Sequence, residues 1–135
     1  MNTTHTTHQS TSTTSPSWLR PAVVIDAGVS GVNGLVYLVA ASMLSDLLGP
    51  SATLIQILGV VLVGWAVALA AVATRDPLPR VVIREIGYLN LVWVAGSVAA
   101  AAGLLSLTGI GLAWCLLQAA TVTVFAAAQI LGTRR

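Results

Sequence analysis

No charged residue occurs between Glu85 and Arg134. That stretch is far longer than a single membrane-crossing helix, for which about 20 apolar residues suffice. It must fold back once. Helices are the expected form, because backbone groups placed in hydrocarbon have to be satisfied within their own segment. Two further apolar runs lie upstream. The reading therefore predicts an all-α membrane protein, a four-transmembrane-helix bundle with spans at about 22–44, 52–73, 81–105 and 110–131. Residues 1–20 read as a disordered cytoplasmic tail and 21–133 as the four-helix transmembrane domain. The polar lead is too long, and the first run too long and interrupted by Asp26, for a cleaved signal sequence.

Composition agrees. Only 7% of the 135 residues are charged and mean hydropathy is +0.90, whereas a soluble domain carries about 25% charge to hydrate its surface. All six basic residues are arginines, at 20, 75, 80, 84, 134 and 135. They flank the start of the first span, the second-to-third connection and the end of the fourth. The other two connections carry none. Retention of positive charge on the inner side predicts that both termini are cytoplasmic, in a bacterial plasma membrane. Membrane lipids are then the expected surroundings, and a homo-oligomer or a membrane-complex partner would complete them. Nucleic acid is not expected as a partner, because the arginines sit at span ends and form no basic face. Cys115 is the only cysteine, inside an apolar run, where it reads as a small buried hydrophobe.

The breaks between spans have a chemical basis. Gly49-Pro50, Asp76-Pro77 with Pro79, and Gly109 with Gly111 all punctuate the chain where turns are needed. A faint internal repeat is visible too. Val23-Val24-Ile25 recurs as Val81-Val82-Ile83, and Ala73-Thr74-Arg75 is echoed by Gly132-Thr133-Arg134. It points to a tandem two-helix repeat, with chance likeness among apolar segments as the alternative.

Polar residues inside the spans form stripes. Asp26, Ser30, Asn33 and Tyr37 share one face of the first span, and Asn90, Trp93 and Ser97 one face of the third. Trp114, Gln118, Thr121, Phe125 and Gln129 run along the fourth. Helical rise puts Asn33, Asn90 and Gln118 at about 12–16 Å depth, so these amides are expected to meet near the midplane with Tyr37 and Trp93 beside them. The cluster has two readings. It is a polar pocket for a ligand or solute, or a set of interhelical hydrogen bonds that holds the bundle together; the latter is preferred. Asp26 and Glu85 lie within about 8 Å of the cytoplasmic end of their helices. They are expected to form interfacial ion pairs with Arg20, Arg80 and Arg84, with proton coupling at Asp26 as the alternative.

Catalysis and metal binding are not expected. No histidine lies in a span, the span serines have no base beside them, and no phosphate-binding loop is present. His5 and His8 in the tail read as incidental. No cofactor is called for. The preferred reading is a structural or interaction bundle, with a small transporter or a lipid- or quinone-binding protein as alternatives.

Asp26 followed by Gly31-Val32-Asn33-Gly34, the Ser45-Asp46-Leu47-Leu48-Gly49 turn, and Asn90-x-x-Trp93 resemble a group of short four-span membrane proteins common in actinobacteria. The resemblance spans nearly the whole chain and implies a plasma-membrane four-helix bundle without an attached activity. A weaker similarity is to DoxX-like four-span proteins, which would imply a redox or quinone association; no residue constellation in the chain adds support to it.

Overall fold

A computed structural model describes residues 15–134. The expected disorder of the tail and its two histidines falls on residues 1–14, outside the described residues. Five α-helices and one wide π-turn segment follow in order: α1 (Leu19–Val39), α2 (Ala41–Leu48), α3 (Ala52–Ala73), α4 (Arg80–Ala99) running into the π turn Ala100–Leu104, and α5 (Gly109–Gly132). Four of these stretches are long and apolar enough to cross a membrane. No strand occurs among the described residues.

The second span coincides with α3. Its start is set by Ser51, whose hydroxyl accepts from the Leu54 amide at 3.2 Å and satisfies one of the four unpaired donors of the first turn. Thr108 caps α5 in the same way, accepting from Gly111 at 3.0 Å. The first span differs from expectation at both ends. It opens at Leu19, because Pro21 falls in the first turn, where its missing amide hydrogen costs nothing. Leu19 is fully buried and Arg20 is helical, so the two belong to the bundle and not to the tail. At Ala40 (φ −113, ψ 26) the helix bends, and residues 41–48 form the separate helix α2. The bend keeps Ala41 packed beside Tyr37 and Ile55. It also carries Leu48 to α5, where the Leu48 carbonyl accepts from the Thr108 amide at 3.0 Å.

The helices pair by hairpin. α1 packs along α3, and α4 along α5, while the two hairpins meet mainly through α1 and α5. Glycine sets the first seam: a Cβ at Gly34 would lie 2.9 Å from the Gly59 carbonyl and 2.8 Å from Val63 Cγ2. Only a residue without a side chain admits that approach. In the second hairpin Gly87 faces Ala126 and Gln129 in the same manner. Each hairpin is also tied at its arginine end. Arg20, opening α1, donates to the Ala73 carbonyl at the end of α3; Arg84, in the first turns of α4, donates to the Thr133 carbonyl at the end of α5. Cationic donors on terminal carbonyls complement the helix dipole. Arg20 lies 3.9 Å from Asp76 as well, an exposed pair of small energetic weight.

At the arginine end α1, α3 and α4 converge, and Leu19, Val23, Leu69, Ile83 and Ile86 form one buried cluster. The outer faces carry large apolar side chains, among them Val39 at 86% and Val81 at 68% exposure. A surface of this kind is stable against lipid and not against water.

Candidate functional site

The polar stripe of α1 faces the seam with α4 and α5, and it serves two separate clusters. Near the arginine end the Asp26 carboxylate is buried and accepts three hydrogen bonds: from Ser30 Oγ at 3.3 Å, Asn90 Nδ2 at 3.0 Å and Gln129 Nε2 at 2.6 Å. Asn90 also donates to Gln129 Oε1 at 2.8 Å. Three helices are thereby linked through one carboxylate. About 11 residues further along α1, roughly 16 Å at helical rise, Tyr37 forms the second cluster. Its hydroxyl accepts from Trp114 Nε1 at 2.8 Å and from Gln118 Nε2 at 2.6 Å, both on α5.

The expected meeting of Asn33, Asn90 and Gln118 is thus replaced by a division. Asn90 goes to Asp26 and Gln118 to Tyr37. The reason lies in bond strength: a carboxylate acceptor makes stronger hydrogen bonds than a neutral amide, so Asn90 is drawn toward the acid. The expected ion pairs are also redistributed. Asp26 takes neutral donors, Arg20 and Arg84 are spent on helix ends, and Glu85 is exposed on α4. Trp93 packs against the Tyr37 cluster. Gln129 and Trp114 lay on the α5 stripe without a role assigned to them. The signal for Gln129 was available: a carboxylate on a helical face with no cation at its depth needs neutral donors, and Gln129 is the amide on α5 nearest the arginine end.

Between the two clusters the hairpins part and leave a cavity of about 570 Å³, within the ~300–1,000 Å³ range of small-molecule sites. Its walls are mostly apolar, and Asp26, Ser30, Asn33, Tyr37, Asn90 and Gln118 form a polar spine on one side. At the arginine end the buried cluster closes it. At the opposite end Leu48, Leu107 and Gly111, where α2 crosses to α5, line its limit. α3 and α4 are not a packed pair, and exposed Val61 and Val92 stand on the rim between them. The cavity therefore opens sideways, toward the lipid-facing surface.

Several polar groups on the spine keep unused capacity. Among the described residues the Asn33 side chain makes no hydrogen bond, Tyr37 accepts twice but does not donate its proton, and Gln118 Oε1 and Asn90 Oδ1 accept nothing. On α4, a Cβ at Gly96 would meet nothing within 4 Å, which marks open space at that wall. Cys115 is engaged: its thiol donates to the Ser97 carbonyl at 3.0 Å.

Fold and site together define a small multi-pass helical membrane protein with a laterally open chamber. No protein-family model, curated protein or solved structure matches the chain.

Proposed function

We propose that the chain is a bacterial plasma-membrane protein, both termini cytoplasmic, that binds a lipid-soluble ligand in the chamber between its hairpins. The observation that carries this reading is the pairing of a mostly apolar cavity of about 570 Å³ with an unbonded Asn33 side chain and with hydrogen-bonding capacity left over on Tyr37 and Gln118. A bundle built only for packing would bring its hairpins together along their length, whereas here they part around a polar spine and leave room for a guest from the lipid side. The Asp26 network holds the helices together, but it does not account for the chamber. Binding, without chemistry on the ligand, is the activity proposed.

Gly96 supplies the test. Gly96 lines the chamber and a Cβ there meets no neighbour within 4 Å, so a phenylalanine introduces bulk at that wall without a backbone clash. Apolar compounds that co-purify in mild detergent are extracted and identified by mass spectrometry from wild type and Gly96→Phe. A compound retained by wild type and lost from the variant supports the reading. Identical extracts from two equally stable proteins would sink it.

A further inference from the structure

Resting on that reading, we infer that the ligand is a lipophilic organic cation, such as a quaternary ammonium or phosphonium with an apolar body. Three observations converge on it. The chain has four Trp, two Tyr and one Phe, and Trp65, Trp93, Trp114, Tyr37 and Phe125 all line this one chamber, leaving only Trp18 and Tyr88 elsewhere. Aromatic faces attract cations, and the attraction strengthens where water is absent.

The second observation is charge. Asp26 is the one ionisable acid on the wall, and among the described residues that line the chamber there is no arginine or histidine. Its hydrogen bonds come from a hydroxyl and two amides, so no cation of the protein neutralises it. In an apolar enclosure an acid without a counter-ion is ionised most readily when a positive guest sits beside it, so the site gains from a cation and gains nothing from an anion. The third observation is polarity of the unused groups. Asn90 and Gln118 both line this space, and their amide nitrogens are the atoms engaged with the protein, which leaves the carbonyl oxygens without a donor.

Register brings these features close together. Gly31 faces Ala66 and Gly34 faces Val63 across the antiparallel α1–α3 seam, which puts Trp65 level with Val32, about 9 Å along α1 from Asp26 on the way to Tyr37. Gly87 faces Ala126 and Gln129 across the α4–α5 seam, which puts Phe125 near the level of Asn90. A cation near the carboxylate thus has the α5 ring close to its level, and its apolar body extends toward Trp65 of α3 further along the same chamber. The opening between Val61 and Val92 admits it from the lipid side, where such molecules accumulate.

The experiment compares tetraphenylphosphonium with its anionic isostere tetraphenylborate and with the smaller neutral triphenylphosphine oxide. Binding to the purified full chain in an uncharged detergent is read from quenching of tryptophan emission. Each probe is compared between wild type and variants, so partition into detergent cancels. Asp26→Asn keeps the shape of the side chain, and its oxygen can still accept from Asn90 and Gln129. It should weaken the phosphonium by about tenfold or more and leave the neutral oxide unchanged. Trp93→Leu, which spares the carboxylate, should weaken the phosphonium by severalfold more than the oxide. Saturable binding of all three probes with no dependence on Asp26 overturns the cation assignment and leaves the chamber as a neutral-ligand site. Absence of saturable binding by any probe, with Gly96→Phe indistinguishable from wild type, overturns the binding reading itself.

Discussion

Asp26 is the residue on which the seam depends. Truncation to leucine removes the acceptor of three side chains and strands two amides in an apolar interior. An unsatisfied buried polar group costs about 1–3 kcal/mol, so Asp26→Leu is expected to lower the midpoint of thermal unfolding in detergent clearly. Asp26→Asn should lower it much less. Equal melting of the leucine variant and wild type would remove the network from any account of stability. Tyr37→Phe tests the second cluster: loss of the shared acceptor for Trp114 and Gln118 should cost about 1–2 kcal/mol, measured the same way. At this scale the sequence was partly legible. The stripe of Asp26, Ser30, Asn33 and Tyr37 follows from helical spacing alone and does face its neighbours. Which partner each side chain takes does not follow, because partner choice depends on the relative offset of antiparallel helices, to which spacing within one helix is blind.

At the scale of the element, the close seam between α1 and α3 sets the sharpest contrast. Alanine ordinarily stabilises a helix by about 1 kcal/mol over glycine. At Gly28, where a Cβ meets nothing, that gain should appear. At Gly34 a Cβ would press on the backbone carbonyl of Gly59 at 2.9 Å, which has no freedom to move aside. Overpacking of this kind costs about 1–3 kcal/mol, so Gly34→Ala should destabilise while Gly28→Ala does not. The comparison is made by unfolding of the two variants in one detergent. Helix limits show where local chemistry speaks. α3 begins after a capping serine and matches expectation at both ends, whereas the bend at Ala40 has neither glycine nor proline to announce it. Its cause is tertiary: Leu48 must reach Thr108, and Ala41 must stay against Ile55.

For the whole molecule, four spans and the arginine bias were readable because hydropathy and charge are properties of the chain itself. The chamber was readable only as the less favoured of two readings of the midplane polar cluster, since its volume arises from how two hairpins lean together. The bias also makes a plain prediction: reporters fused to the two ends should both register inside; both outside would reverse the orientation, and opposite compartments would break the four-span topology. The arginine ties on Ala73 and Thr133 carry a consequence of their own. Each belongs wholly to its hairpin, as do the close seams at Gly34 and Gly87. The closest backbone approaches and the arginine ties are thus internal to each half, while the Asp26 network and the buried cluster join the two. A gene cut in the short 74–79 segment and expressed as two separate polypeptides should yield partners that find one another in the bilayer and co-purify through a tag on either one.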